Sequence, residues 1–289
     1  MGNATVGFLG PENTFTEMAA RELFEHSRRQ PFSTISDCMD AVAHGDIDYG
    51  VVPLENTIEG SVNLTLDYLI HQTPLSIVTE ITIPIQQHFV TYDHSRKLEN
   101  IQAVYSHPQA IAQCHHFLKE YVPNAKIHYM DSTASAAEFV QQHPEENFAA
   151  ICNELAAQTL DLYIAEKNVH DYKNNHTRFV TLSHSGAIDA TEQHDVDYKT
   201  TFLVTLPSDY PGALHQVLSA FSWRRLNLSK IESRPMKTGL GRYCFIIDVM
   251  QGMDETMIPG VKAEIEALGC SVEILGSYPC FTINTPKVK

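Results

Sequence analysis

The run Asn175-His176-Thr177-Arg178-Phe179 places a small hydroxyl donor, a permanently charged guanidinium fork and an aromatic ring side by side. A neutral donor next to a fixed cation is equipment for holding a small anion and polarising one of its oxygens. The apolar residues Phe179, Val180 and Leu182 read as the start of a buried strand, so the polar residues are expected at a strand mouth. Taken singly, Thr177 fits equally well as a β-branched residue entering a strand, and Arg178 as a structural ion pair.

Five further polar clusters share one location, the turn between a strand and the helix after it. They are Gly10 to Thr16, Glu55 to Ser61, Ser106 to Gln109, Asp131 to Thr133, and Cys152-Asn153. Free backbone N–H groups at a helix N-terminus bind carboxylate or phosphate, and in parallel α/β sheets such turns gather where ligands bind. Thr14-x-x-Glu17, Asn56-x-x-Glu59 and Ser106-x-x-Gln109 also fit capping boxes, each worth about 1 kcal/mol and requiring no ligand. Neither a glycine-rich phosphate loop nor a metal-binding His or Cys spacing occurs, so no cofactor and no metal are expected.

The elements that position these residues alternate. Strands at 6–9, 49–53, 103–105, 126–129 and 149–151 precede helices at 15–26, 62–71, 109–121, 133–142 and 153–162, which predicts α/β layers with largely parallel sheets. The β-rich passage 76–92 breaks the alternation and is expected to cross between two lobes. Residues 184–197, rich in Ser, Gly, Ala, Asp, Glu and His, read as a linker. Beyond it, strands at 201–206, 228–235, 242–249 and 271–275 flank helices from Pro211-Gly212 through Trp223 and over 255–268, stopped by Gly269. This is the ferredoxin-like βαββαβ order. Leu214, Val217, Leu218 and Phe221 repeat at core spacing, and Pro235 stops the strand carrying Glu232-Ser233-Arg234.

A chain of 289 residues suits about two domains of roughly 100–200 residues. Its formal charge of −15 argues against nucleic acid and anionic membranes as partners, and makes each local cation more informative. No apolar stretch approaches the roughly 18 residues of a membrane span, and the first residues lack a signal-peptide pattern. The six cysteines show no CxxC spacing and read as free thiols of a cytoplasmic protein.

Seven blocks occur in a fixed order: GFLGPENTFTEMAA at 7–20, GVVPLENTIEGSV at 50–62, SHPQAIAQC at 106–114, STASAA at 132–137, NHTRFV at 175–180, GALHQVL at 212–218 and NLSKIESRP at 227–235. Through them the chain resembles the monofunctional prephenate dehydratase family over nearly its whole length. The resemblance implies a two-lobed catalytic region over 1–183, of type II periplasmic-binding-protein architecture, then the 184–197 linker and an ACT regulatory domain over 198–289. It implies decarboxylative dehydration of prephenate to phenylpyruvate, CO₂ and water, without a cofactor, in phenylalanine synthesis. Feedback inhibition by L-phenylalanine and assembly as a cytoplasmic homodimer or homotetramer go with it.

By motif position the resemblance makes Thr177 and Arg178 catalytic, the first helping hydroxide leave and the second holding the carboxylate that stays. Glu55, Asn56, Ser106, Gln109, Ser132, Thr133, Asn175 and Phe179 map onto substrate-binding positions, with Phe179 inclined towards packing. Gly212, Ala213, Leu214, Asn227, Leu228, Glu232, Ser233, Arg234 and Pro235 map onto the phenylalanine site. Bifunctional relatives carry a helical chorismate mutase domain first; with a strand beginning by Val6, none is expected here. The family usually has Gly where Asn13 stands, and Ala-Ser where Cys152-Asn153 stand. Two rival readings share the architecture: an arogenate dehydratase, and a non-catalytic two-lobed amino-acid or solute sensor.

Overall fold

The computed structural model describes residues 4–72, 75–184, 196–208, 210–236 and 243–283. A first lobe comprises β1 (Thr5–Leu9), α1 (Phe15–Leu23), β2 (Arg28–Phe32), α2 (Ile35–His44), β3 (Tyr49–Asn56), β4 (Gly60–Ser61), α3 (Asn63–His71) and β5 (Ser76–Pro84). The chain then crosses to a second lobe of β6 (His88–Thr91), β7 (Ala103–Ser106), α4 (Pro108–Gln113), α5 (His115–Tyr121), β8 (Lys126–Tyr129), α6 (Thr133–Gln141), β9 (Phe148–Cys152), α7 (Glu154–Thr159) and β10 (Tyr163–Glu166). It returns through β11 (His176–Ser183). A C-terminal unit follows: β12 (Asp197–Thr205), α8 (Ala213–Trp223), β13 (Leu228–Pro235), β14 (Tyr243–Val249), α9 (Met257–Ala267) and β15 (Ser271–Thr282).

The two-lobed α/β arrangement and the βαββαβ order follow the sequence pattern, but the sheets are mixed. Because the chain leaves the first lobe and comes back, β11 enters between β3 and β5 antiparallel to both, and β6 is antiparallel to β9 and β10. Two elements left no clear pattern. The strand β2 is an edge strand of Arg, Gln and Pro without alternation, and α2 follows it between a Thr34 cap and Gly45 at φ +78°. The single helix expected over 109–121 is two helices. Gln113 gives its carbonyl to Asp171 N–H at 2.6 Å, and Cys114 leaves helical geometry.

The C-terminal unit joins the first lobe covalently and through one sheet, ordered β13-β14-β12-β15-β5-β11-β3-β1-β2. The last strand was expected to stop at Leu275. Instead β15 passes Gly276 and pairs Cys280, Phe281 and Thr282 in parallel with Glu80, Ile81 and Thr82. A Cβ at Gly276 would fall 2.1 Å from the Ile77 carbonyl oxygen, so the close passage requires glycine. Below the junction, Leu203, Ile246, Leu275 and Tyr278 share a core with Leu54, Leu66, Leu69 and Ile77. The helices α8 and α9 cover the opposite face of the unit. Of the expected linker, residues 185–195 lie outside the described residues, as does Arg242, and Asp197 already opens β12.

Hydrogen bonds tie the lobes where the chain crosses between them and again beside α7. Where the chain crosses, Ile85 N–H donates to Asn175 O (2.8 Å) and Val169 N–H to Gln87 O (2.9 Å). Gln87 N–H donates to His170 Nδ1, and Asn168 N–H to His88 Nδ1, both at 3.2 Å. The second tie joins Asn13 of the first lobe to Asn153 of the second. Asn13 sits at φ +64°, a left-handed conformation that Asn tolerates in place of Gly. Asn153 caps α7 by accepting Ala156 N–H (2.8 Å) and donates its own amide to Asn13 O (2.8 Å).

Burial pushes the His88 pKa from 6.5 down to about 4. The unfolded chain therefore takes up a proton first as pH falls, so the stability this residue contributes is present above about 6.5 and lost towards 4. Denaturant titrations across that window should show stability falling by about 1.4 kcal/mol per pH unit from this group, and His88→Asn should flatten the slope. An unchanged slope would place the titration elsewhere. Asn153→Ser keeps a capping oxygen but not the reach to Asn13, and should cost about 1–3 kcal/mol by the same method. Asn13→Gly should cost less, about 1 kcal/mol or under.

Candidate active site

Strand alternation decides what each member of the Asn175–Phe179 run can do. Thr177 and Phe179 point to the cleft side of β11, and Arg178 between them points behind it. Neighbouring β3 carries a bulge: Arg178 faces Glu55 and Phe179 faces Pro53, leaving Leu54 as the extra residue. Leu54 and Glu55 therefore both face backwards, and Asn56 is turned into the cleft.

Asn56 organises the strand mouth. Its Nδ2 donates to Thr177 Oγ1 (2.8 Å) and Asn175 Oδ1 (2.9 Å), while its Oδ1 accepts from Ile58 and Glu59 N–H (2.9 and 3.1 Å). The motif expected to cap a helix here thus folds an Asx turn instead, and α3 starts only at Asn63. Because the Thr177 oxygen accepts from Asn56, its own proton is left for a group in the cleft.

Between the lobes lies a cleft of about 530 Å³. Its walls include the N-terminal ends of three helices. Thr14 caps α1 (3.4 Å to Glu17 N–H), Ser132 caps α6 (2.9 Å to Ser135 N–H), and His107 caps α4 (3.3 Å from Nδ1 to Gln109 N–H). Gln109, Ser132 and Thr133 line it as the sequence suggested, together with Glu59, Ser61 and Asp131. Among the described residues no Lys or Arg lines the cleft. Positive potential there comes from oriented backbone N–H groups. Burial pulls the His107 pKa down despite the raising influence of Asp131 and Glu59, so this ring is uncharged near neutral pH.

Several expected contacts are corrected. Arg178 is no cleft clamp: its guanidinium meets Glu55 (2.6 Å), Glu80 (2.6 Å) and Asp248 (2.8 Å); burial opposes its charge, and Glu80 and Asp248 outweigh that and hold it protonated. Glu55 faces Arg178 and Lys230 because the bulge at Leu54 turns it behind the sheet. Burial would raise its pKa, but hydrogen bonds from those two cations hold it below the ordinary value. Ser106 is fully buried and donates to Ile151 O (2.6 Å), tying β7 to β9, which is why His107 becomes the cap. Asn175 sits one layer back at 2% exposure, with its Nδ2 on Gln113 Oε1 (3.2 Å). Phe179 is packed among Val6, Phe8, Val51 and Ile81 and gives the cleft only an edge.

His107, Gln87 and Gln113 line the cleft without having been singled out. Gln87 is 3% exposed, and its Oε1 has no hydrogen-bond partner. It belongs to the crossing between lobes, where no periodicity reports which way a side chain points. The polar run Gln86-Gln87-His88 inside the β-rich passage 76–92 was the one available signal.

In the C-terminal unit, Gly212 lies at φ +91° ahead of α8, Ala213 is buried, and Leu214 and Leu228 pack into the core beneath the helices. Asn227 is exposed and accepts Met250 N–H (2.9 Å). Ser233 and Pro235 are exposed, whereas alternation turns Glu232 and Arg234 towards the first lobe. Glu232 pairs with Lys230 (2.9 Å) and Ser61, and Arg234 with Asn63 (2.6 Å) and Asp67. Those two side chains tie β13 to the first lobe.

The prephenate dehydratase family model matches residues 6–187. A prephenate dehydratase of Bacillus subtilis (strain 168) is 49% identical over 283 residues, 96% of this chain and 99% of that relative. A bifunctional chorismate mutase/prephenate dehydratase of Aquifex aeolicus (strain VF5) is 38% identical, over 95% of this chain and 73% of the relative. The crystal structure of an Arthrobacter aurescens prephenate dehydratase in complex with L-Phe superposes with a TM-score of 0.83 at 33% identity, covering 95% of this chain and 89% of that one. With the Asn56–Thr177 pair facing a cleft between two lobes, these matches establish that the chain belongs to the prephenate dehydratase family.

Proposed function

We propose that this chain removes CO₂ and water from prephenate to give phenylpyruvate, acting as a carbon–oxygen lyase of phenylalanine synthesis. The observation that carries the reading is the 2.8 Å bond from Asn56 to the Thr177 oxygen, at the mouth of a cleft ringed by helix N-termini. Prephenate has two carboxylates and a ring hydroxyl. As the bond to the ring carboxylate breaks, its electron pair moves into the ring, the C–O bond opposite breaks, and the ring becomes aromatic. Carbon dioxide leaves, and the departing hydroxide needs a proton or a strong hydrogen bond.

Thr177 supplies that bond. An alcohol is a weak acid, so its part is preorganised polarisation of the leaving oxygen, and the N–H bond it accepts from Asn56 strengthens it as a donor. The side-chain carboxylate that survives is held by the N–H groups opening α1 and α6 and by the hydroxyls of Ser132 and Thr133. The carboxylate to be lost lies against Pro53, Ile85 and Phe15, where few donors stabilise it before reaction.

On this reading the C-terminal unit is an ACT-type regulatory domain that binds L-phenylalanine around Gly212, Ala213, Leu214, Asn227, Ser233 and Pro235. A homo-oligomer is part of the same proposal; the exposed Ile231 on edge strand β13 and Tyr243 on its neighbour β14 support it. The six unpaired cysteines support a cytoplasmic location. No helix among the described residues is long and apolar enough to cross a membrane.

Mixing the protein with prephenate and following phenylpyruvate absorbance should show turnover, lowered by added phenylalanine. Binding without turnover would favour a sensor, and phenylalanine formed from arogenate with no phenylpyruvate from prephenate would favour the amino-acid substrate. Thr177→Val should lower kcat by about 10²–10³-fold with KM little changed, whereas Thr177→Ser should stay within about tenfold of the parent. A folded Thr177→Val enzyme with normal kcat would remove Thr177 from the chemistry.

A further inference from the structure

On the back of β3 and β11 lies a layer of charge that this chemistry does not touch. Arg178 carries Glu55 on one terminal nitrogen and Glu80 with Asp248 on the other. Lys230 of β13 reaches the second oxygen of Glu55 at 3.1 Å and donates to the Ser61 hydroxyl at 2.6 Å. Lys199 of β12 reaches the second oxygen of Glu80 at 2.6 Å, and Thr201 donates to Asp248 Oδ1 at 2.8 Å. Lys230 also meets Glu232 at 2.9 Å, so these three cations face four carboxylates, and the Glu80 and Asp248 side chains are nearly sealed from water at 2% and 1% exposure.

The layer divides by domain in a telling way. Arg178, Glu55 and Glu80 come from the first lobe, while Asp248, Lys199 and Lys230 come from the C-terminal unit. Asp248 grips Arg178, the residue after Thr177. Lys230 grips Glu55, the residue before Asn56, and also the cleft residue Ser61. Asn56 and Thr177 share the hydrogen bond that aims the reacting hydroxyl. Each cleft residue of the pair thus has a neighbour on the opposite strand face held by the C-terminal unit.

We propose that Arg178 and Glu55 are positioning residues through which the C-terminal unit sets the Asn56–Thr177 pair, and that an effector bound to that unit changes turnover by this route. The proposal rests on the dehydratase reading above. Strand β13 carries both Lys230 and the effector candidates Ser233 and Pro235, so displacing it moves the grip on Glu55. Arg178 Nε is buried without a hydrogen-bond partner while three carboxylates crowd the other end of the fork. A spare buried donor beside its acceptors gives the layer a second pairing to switch into.

The test uses the full chain and two near-isosteric variants, Lys230→Met and Asp248→Asn, each checked for cooperative unfolding. Assays with prephenate read kcat, KM and the extent of inhibition by saturating phenylalanine, and calorimetry reads phenylalanine binding directly. Each variant should lose about tenfold in kcat with KM within about twofold, and saturating phenylalanine should inhibit it about tenfold less than the parent while binding as before. Lys230→Arg should restore both. Glu264→Gln, which breaks the Arg224 pair inside the C-terminal unit, should change neither.

Folded variants with parental kcat and inhibition overturn the proposal, as does a raised KM with unchanged kcat, which would make Glu55 or Arg178 a substrate contact. Should Asp248→Asn fail to fold, Lys230→Met decides alone, because it meets Glu55 at the more exposed end of the layer. A wild-type chain without turnover overturns the dehydratase reading itself. A wild-type chain that turns over but ignores phenylalanine overturns only the effector half.

Discussion

Alternation along two paired strands is the constraint on which the rest of this molecule depends. In β11 it separates Thr177 from Arg178 by the thickness of the sheet, and the bulge at Leu54 brings β3 into matching phase. One face then holds a neutral, hydrogen-bonded hydroxyl at the cleft, and the other a charge layer between domains. Either role alone could be met by many arrangements. Serving both from consecutive residues ties the geometry of the reaction to the packing of a domain that, among the described residues, contributes none to the cleft.

An acidic chain of formal charge −15 would ordinarily need a cationic side chain to collect a dianion. Here the cations nearest the strand mouth are spent on neighbouring carboxylates, and the cleft relies on helix N-termini and hydroxyls. Backbone N–H groups cannot lose their polarity by titration and need little reorganisation as charge shifts from carboxylate to leaving oxygen. An arginine inside the cleft would bind the ground-state dianion strongly, including the carboxylate that must depart.

Much of this was legible in the sequence, and the exceptions have physical reasons. The ordered blocks located Thr177, Asn56, Gln109, Ser132 and Thr133, and periodicity located the βαββαβ unit. Arg178 could be read as a ligand clamp or an ion pair, and the structure chose the second because its partner Asp248 arrives from 70 positions away. Facing could not be read at Glu55, since the Leu54 bulge leaves no residue signature, nor at Ser106, whose hydroxyl is taken by a carbonyl in another strand. The end of β15 was missed because Gly276 and Pro279 look like stops, while here one permits a close backbone passage and the other lies in a paired strand.

The passage at Gly276 has a consequence for how the chain is made. The outer edge of β5 is completed by residues 280–282, which emerge from the ribosome some two hundred residues after β5 itself. Until then the first lobe presents an unpaired, Ile-rich strand edge and the apolar patch that Leu203, Ile246 and Tyr278 will cover. Nascent chains crowded on one message would therefore carry matching sticky edges for most of their synthesis, a situation that favours mispairing between neighbours. That edge is paired only when the C-terminal unit is nearly complete.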